Sequence, residues 1–218
     1  MVLVQKELKN AYIGEYQEWW QPWANTIAYF PFKDNQNDAM GIYSLNTSLT
    51  KASIGYSFTQ SGGNINISGG LQKSAKFGGI WFKVTTWTGV IGLLGCNKLG
   101  GISYWIVHYN SAYNKKIHTY TWANWDIQAT SNWNASYNQW HYYAYSLVGT
   151  TLYICKDWEV STILSSTPYD YGTDQALCNF GSGTSANIEV SEWIIEDTGW
   201  TSQEMSDYYD LTKSNYWY

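Results

Sequence analysis

The sequence predicts an all-β fold: an antiparallel two-sheet sandwich in the jelly-roll arrangement, with one short C-terminal helix. Three observations predict it. Of the 218 residues, 18% are aromatic, with 14 Trp and 20 Tyr, and aromatic residues favour the pleated, half-buried surface of a sheet. Short apolar and β-branched runs alternate with Gly, Asn and Ser turns along the chain. A tight hairpin signal lies within residues 138–160.

The first 22 residues differ from the rest and predict an N-terminal arm, so that the domain itself spans residues 23–218. A candidate assembly strand, KNAYIGEY, lies within the arm. Trp19, Trp20 and Trp23 follow it. Because Trp is enriched where proteins meet, we expect these three side chains to pack against a neighbouring subunit or against the domain, in a homo-oligomer or a larger assembly.

The strands are predicted in chain order from runs that turn residues separate. Many short strands at regular spacing are typical of a sandwich or jelly roll. The predicted strands are TIAYFPF (26–32), SIGYSFTQ (53–60), NINIS (64–68), GGIWFKVTTW (78–87), VIGLLGC (90–96), ISYWIVHY (102–109), KIHTYTW (116–122), WHYYAYSLV (140–148), TLYICKDW (151–158) and ANIEVSEWIIED (186–197).

The hairpin within residues 138–160 turns on Gly149-Thr150, because Gly at the first central position fits a two-residue turn. Its register predicts one core-facing set: Tyr145, Leu147, Leu152 and Ile154. The opposite face is small and mixed, as in a sheet whose other side is shallow or only partly covered: Ala144, Ser146, Tyr153 and Cys155. A slip of one residue would exchange the two faces, so the register should be firm.

The last predicted element is a helix that begins in GWTSQEMSDYYDL. Thr201 followed by Glu204 fits a capping box. Met205, Tyr208 and Tyr209 then recur at helical spacing on one face.

Charge and composition exclude several classes of function. All 12 basic residues are lysines and the net charge is −5, so neither a nucleic-acid site nor a basic membrane-surface site is expected. The segment MVLVQKELKN has no apolar core like that of a signal peptide, and VIGLLGC is too short to span a bilayer. These features predict a protein of a virion or an extracellular surface, without a signal peptide and without membrane insertion.

Four segments, in order, resemble the laminin-G-like domains of the concanavalin A-like lectin and glucanase superfamily, and their span covers nearly the whole domain. The resemblance implies a jelly roll, a fold that hosts lectins, adhesion modules, glycosidases and structural domains. Two departures, Lys156-Asp157-Trp158 for Asp-Gly and Ser191-Glu192 for Asp-Glu, argue against a calcium site. The four segments are TIAYFPFKDNQNDAMG, FGGIWFKVTTWTG, NQWHYYAYSLVGTTLYICKDWE and ANIEVSEWIIEDTGWTSQEMSDYYDL.

Carboxylate spacing argues against a glycosidase. Residues 39–125 contain no Asp or Glu. Glu189 and Glu192 are three apart and would face opposite sides of a regular strand. Glu192 and Glu196 share a side but lie ~13 Å apart at ~3.3 Å per residue, beyond the roughly 5–9.5 Å of catalytic pairs. Asp157 and Glu159 lie where the hairpin strand ends. The sequence therefore predicts no catalytic residue and a protein that is not an enzyme.

The histidines, serines, cysteines and Gly-rich stretches show no catalytic, metal-binding or phosphate-binding motif. His108, His118 and His141 lack ligand-like spacing, no G-x-S-x-G motif occurs, and the Gly-rich stretches lack a phosphate-binding Lys-Ser/Thr. The three cysteines are predicted to be buried free thiols. We therefore expect no metal and no cofactor.

Binding is the remaining interpretation, and residues 119–140 carry it. Flat indole faces and amide side chains suit sugar rings and their hydroxyls. Because these residues lie at the end of the predicted strand 116–122 or between it and the next predicted strand, we expect them to form a ligand-binding surface: Trp122, Asn124, Trp125, Trp133 and Asn134.

Three functions follow from these features. The first is a non-enzymatic domain that binds cell-surface glycans, as an adhesion protein of a virion such as a tail-fibre or capsid-decoration protein. The second is a purely structural subunit of a virion or extracellular filament, whose aromatic surface makes protein contacts. The third, a glycoside hydrolase, is disfavoured by the carboxylate spacing.

Overall fold

A computed structural model describes ten segments of the chain: residues 25–46, 48–61, 65–88, 90–98, 102–110, 116–121, 126–134, 136–164, 174–177 and 185–216. The predicted arm, residues 1–22, and the three predicted assembly residues Trp19, Trp20 and Trp23 lie outside these segments. No helix among the described residues is long and apolar enough to cross a membrane.

Strands dominate the described residues. They are β1 Thr26–Phe30, β2 Thr50–Lys51, β3 Tyr56–Ser61, β4 Ile65–Asn66, β5 Phe77–Thr88, β6 Val90–Lys98, β7 Ile102–Asn110, β8 Lys116–Thr121, β9 Asp126–Asn134, β10 Trp140–Val148, β11 Thr151–Lys156, β12 Glu159–Leu164, β13 Asp174–Leu177 and β14 Ser185–Glu196. The helix α1, Ser202–Thr212, and a short 3₁₀ turn, Lys213–Asn215, follow β14.

The strands of the described segments form two antiparallel sheets, which confirms the predicted all-β sandwich. The larger sheet has the order β12-β11-β10-β5-β14-β3-β2, and β1 pairs with the C-terminal half of β14. The smaller sheet has the order β4-β13-β6-β7-β8-β9.

The main core lies between the two sheets. Phe30 of β1 stacks on Trp193 of β14 with ring centroids 5.4 Å apart. Ile65 and Leu94 bring the smaller sheet into the same cluster. Burial of such side chains supplies the main driving force for joining the sheets.

The hairpin of β10 and β11 forms in the predicted register, with Val148 opposite Thr151 and Gly149 at φ 61°. Its predicted core face is buried between the sheets. Its other face is not shallow: Ser146 and Cys155 have no exposed surface. That face is covered because α1 packs across the outside of the larger sheet.

The predicted capping box at the start of α1 is present. Thr201 Oγ1 accepts a hydrogen bond from Glu204 N at 3.2 Å, and Thr201 N donates to Glu204 Oε2 at 2.7 Å. Met205, Tyr208 and Tyr209 are buried against the sheet, as their spacing predicts. The helix thus forms a third layer outside the larger sheet.

Four strands were not predicted from the sequence: β2, β9, β12 and β13. The prediction that Trp133 and Asn134 lie between strands is wrong, because both belong to β9. The predicted strand 151–158 ends at Lys156, since Asp157-Trp158 forms a turn into β12. Alternation in β9 and β12 is weak, so their pairing with β8 and β11 decides their structure.

Candidate functional site

Three of the five predicted ligand-binding residues lie outside the segments that the structure describes. Trp122, Asn124 and Trp125 lie outside the described residues. Trp133 and Asn134 lie at the end of β9, with Asn134 opposite Lys116 of β8. That surface therefore stays a prediction.

The clearest binding feature among the described residues is Trp158, at the turn between β11 and β12. Its side chain is 58% exposed, and the other aromatic side chains described are half-buried or buried. One side of the indole meets Tyr209 of α1, with ring centroids 5.7 Å apart. Ser206 Oγ of the same helix donates to Trp158 O at 3.3 Å. The turn and the helix together hold an exposed indole at the surface.

The turn beneath Trp158 is held by Asp157, which has φ 56°. Asp157 Oδ1 accepts a hydrogen bond from Tyr142 N at 3.0 Å, and Oδ2 accepts from His141 Nδ1 and from Lys156 Nζ, each at 2.9 Å. Burial by itself raises the pKa of Asp157, but the hydrogen bonds and charges of His141 and Lys156 outweigh it and hold that pKa below its ordinary value. The carboxylate is therefore a fixed anchor for the turn.

His141 extends this anchor to the loop before β10. Its Nε2 lies 2.6 Å from Ser136 Oγ, so Ser136, His141 and Asp157 form a continuous hydrogen-bonded chain. Ser136 Oγ also donates to Gln139 Oε1 at 2.8 Å. This chain therefore ties two loops together.

The sequence analysis did not predict this hydrogen-bonded series, because it tested for a catalytic serine only through the G-x-S-x-G motif of a nucleophile elbow. The β10–β11 register carries the missed signal. Tyr143 pairs with Lys156, which places His141 beside the turn that begins at Asp157. A histidine at the start of one hairpin strand and an aspartate at the end of the other meet in this way.

A bulge in β14 corrects the predicted geometry of the carboxylates. Opposite β5, the register shifts between Ser191 and Ile194, and Glu192 has φ 50°. Glu189 pairs with Lys83 at 2.7 Å, while Glu192 Oε2 accepts from Tyr208 OH at 2.9 Å. The prediction that Glu189 and Glu192 face opposite sides of the strand is wrong, because the extra residue of the bulge turns both toward the outer layer.

Glu192 and Glu196 both lie beneath the C-terminal segment. Burial raises the pKa of Glu192 to about 7, although hydrogen bonds from Tyr208 and Tyr216 act against the rise. Burial likewise raises the pKa of Glu196 to about 7. Trp200 Nε1 donates to Glu196 Oε2 at 2.5 Å. The packing of the C-terminal segment against β14 should therefore depend on the protonation of these two carboxyls.

No protein-family model matches the sequence, and no curated protein matches it. Solved structures do match. The sialidase of Trypanosoma rangeli is similar with a TM-score of 0.72 and 12% identity, over 98% of this chain and 38% of the sialidase chain. Domain 4 of AbnA, an extracellular arabinanase of Geobacillus stearothermophilus, in complex with arabinotriose, is similar with a TM-score of 0.62 and 14% identity, over 84% of this chain and 97% of that domain.

A third similar structure is the binding domain of botulinum neurotoxin DC in complex with rat synaptotagmin II. Its TM-score is 0.60 at 13% identity, over 85% of this chain and 51% of that one. The neighbours are thus sugar-binding or sugar-processing β-sandwich proteins and a toxin binding domain. At these identities the likeness shows the fold alone. The chain spans well under half of the sialidase.

The comparison also corrects one prediction from the sequence. The expectation that the protein is not an enzyme is contradicted, because the similar structures include sialidases with bound sialic acid and with a covalent intermediate. This fold therefore occurs within sugar-processing enzymes, and carboxylate spacing in an idealised strand was an unsafe basis for excluding them. The bulge at Glu192 shows why, since it changes which carboxylates share a face.

Proposed function

We propose that this chain is a glycan-binding β-sandwich domain that attaches its protein to carbohydrate on a cell surface. The observation that carries the proposal is the exposed indole of Trp158, supported by Tyr209. An aromatic ring held rigidly at a surface provides an apolar face at low entropic cost. The apolar face of a sugar ring stacks on such a surface.

Polar groups lie beside the aromatic ring that supports Trp158. Asp210 and Lys213 form an ion pair at 2.6 Å, and their side chains remain 61% and 45% exposed. Lys213 Nζ lies 5.5 Å from the centroid of the Tyr209 ring, which also contacts Trp158. A carboxylate and an ammonium beside an aromatic face supply an acceptor and a donor for hydroxyl groups.

The arabinanase domain supports the same interpretation. That domain matches this chain over 97% of its own length and is in complex with arabinotriose. A single sandwich of this size is thus sufficient, in that protein, to hold an oligosaccharide. Membership of the concanavalin A-like superfamily is part of our proposal, and the segments that resemble laminin-G-like domains support it.

A second sugar-binding surface is proposed in residues 119–140. Its density of indole and amide groups supports the proposal. The residues are those predicted from the sequence: Trp122, Asn124, Trp125, Trp133 and Asn134.

The setting that we propose is adhesion by a virion protein, such as a tail fibre or capsid decoration, with a cell-surface glycan or protein as partner. The aromatic arm supports an oligomeric assembly, since Trp19, Trp20 and Trp23 are of the residue type enriched at interfaces. Light scattering on the full chain and on Trp19→Ala, Trp20→Ala and Trp23→Ala variants tests this part. A monomeric full chain would contradict it.

A glycan array tests the proposed function. The chain is screened with and without EDTA, together with Trp158→Ala and a variant carrying Trp122→Ala, Trp125→Ala and Trp133→Ala. Ile42→Ala is the matched control, because Ile42 is 55% exposed and lies outside the Trp158 turn. We expect binding that survives EDTA and falls at least tenfold in Trp158→Ala, a loss of about 1.4 kcal/mol. Absence of binding to every glycan would favour a structural subunit instead.

A further inference from the structure

We propose that the Trp158 surface takes uncharged sugars and rejects sialylated and other acidic glycans, an inference that rests on the proposed function. The exposed indole of Trp158 provides the stacking face. The charges around it decide which sugars reach that face. They lie in the adjoining β11–β12 turn and on the exposed side of α1.

The lysines beside this surface are already paired. Lys156 Nζ lies 2.9 Å from Asp157 Oδ2, and its side chain is only 15% exposed. Lys213 Nζ lies 2.6 Å from Asp210 Oδ1. The carboxylate or sulfate of an acidic sugar binds most strongly to a free lysine or arginine side chain. The chain contains no arginine, so such a ligand would have to break an existing ion pair.

Carboxylates outnumber the lysines here. Residues 156–159 and 203–213 hold five carboxylates and two lysines. The side chain of Glu159, next to Trp158, is exposed and forms no hydrogen bond or ion pair with other described residues. Glu204 is occupied by the capping box and Asp207 accepts from Gln203. The two segments therefore carry a net negative charge, which repels anions that approach the stacking face.

The same groups favour neutral sugars. Exposed carboxylates such as those of Glu159 and Asp210 accept hydrogen bonds from hydroxyl groups without needing a charge on the ligand. Tyr209 and Ser206 hold the indole in place before the ligand arrives, which limits the entropy lost on binding. A flat, preformed face with acceptors at its rim suits a neutral pentose or hexose.

The test compares acidic glycans with related neutral glycans. One pair is a sialylated oligosaccharide and the same oligosaccharide after sialidase treatment, and the other pair is a polygalacturonate and a neutral galactan fragment. We expect the acidic member to bind about tenfold more weakly. This difference should shrink in 1 M salt, because the screening length falls from about 10 Å at 0.1 M to about 3 Å.

Glu159→Lys is the variant that isolates the cause. It should raise the affinity for the acidic glycans several-fold, so that the ratio of neutral to acidic affinity falls. Glu159→Gln should give an intermediate effect, and Ile42→Ala should give none. Near-ultraviolet circular dichroism confirms that each variant is folded.

The outcomes separate this inference from the proposed function. Neutral binding that needs Trp158 supports both. Acidic glycans that bind through Trp158 as well as neutral glycans do overturn the inference and leave the function. Glycan binding that is indifferent to Trp158→Ala overturns this site but not a glycan-binding domain. Absence of binding to all four probes overturns both.

Discussion

At the scale of single residues, Asp157 stabilises the β11–β12 turn through its buried carboxylate. Its carboxylate receives three donors: the Tyr142 amide, the His141 ring and the Lys156 ammonium. It is only 4% exposed, so each lost bond leaves a buried donor without its acceptor. The residue fixes the turn that presents Trp158, which links local stability to the proposed binding surface.

Asp157→Asn should lower the free energy of unfolding by about 3 kcal/mol, because it removes the charge from a buried pair and places an amide against two donors. Urea denaturation of the folded chain measures the change. Asp210→Asn is the control, since the exposed pair with Lys213 should contribute less than about 0.5 kcal/mol. Equal losses in the two variants would contradict the anchoring role of Asp157.

Two glycines of β5, Gly78 and Gly79, leave room for aromatic rings of β10. An added Cβ at Gly78 would lie 2.4 Å from Tyr145 Cε1, and one at Gly79 would lie 2.5 Å from Tyr142 OH. Both tyrosines belong to β10, which pairs with β5 at these positions. The two glycines therefore let β10 place one ring in each layer, on opposite faces of the sheet.

At the scale of elements, α1 buries the outer face of the larger sheet. Trp81 of β5 stacks on Tyr209 with centroids 5.6 Å apart, and its Nε1 donates to Thr212 Oγ1 at 3.1 Å. Glu192 and Glu196 hold the same segment through Tyr208 and Trp200. The helix thus covers an aromatic face and also contributes Tyr209 to the Trp158 surface.

Stability should depend on pH through Glu192 and Glu196. Their folded pKa values of about 7 lie above the ordinary 4.5, so the folded state binds more protons than the unfolded state between pH 4.5 and 7. The contribution is complete below pH 4.5 and is lost as the pH rises through 7, by roughly 3 kcal/mol for each carboxyl. Asp157 acts in the opposite direction, because its lowered pKa adds stability that is lost in acid below about pH 4.

Denaturation midpoints measured from pH 3 to pH 9 check this dependence. We expect a maximum near pH 4 to 5 and a decline toward pH 7. The double variant Glu192→Gln and Glu196→Gln should flatten the decline, whereas Glu204→Gln, on the exposed end of α1, should keep it. A wild-type profile that rises steadily from pH 5 to pH 7 would contradict the assignment.

At the scale of the whole molecule, the protein has three layers over its described residues. The two sheets enclose one core, and α1 with Tyr216 closes a second aromatic core on the outside. Trp81 and Tyr142 are fully buried in that second core. Removing the outer layer would expose several large rings together, and such a patch promotes aggregation.

Deletion of residues 202–218 should therefore give a chain that binds hydrophobic dyes, aggregates and loses most of its near-ultraviolet circular dichroism. Deletion of residues 1–22, the predicted arm, is the comparison and should leave the unfolding midpoint of the domain within a few degrees. An intact, soluble sandwich after removal of residues 202–218 would show that the outer core contributes little. A collapse after removal of residues 1–22 would contradict the predicted domain boundary.

The sequence by itself determined the features that depend on neighbours along the chain. The β10–β11 register follows from Gly149 and the alternation around it, and the start of α1 follows from Thr201 and Glu204. The all-β class follows from the number and spacing of the runs. Each of these signals lies within a few residues, where backbone geometry and side-chain period decide the structure.

Only the tertiary structure decided the rest, because the deciding contacts join residues far apart in the chain. The bulge at Glu192 arises where β14 pairs with β5. It places Glu189 and Glu192 on the same side of the sheet, although a regular strand would place them on opposite sides. The chain from Ser136 through His141 to Asp157 forms only when the hairpin closes. The exposure of Trp158 depends on how α1 packs across the sheet, and no pattern within residues 156–159 contains that information.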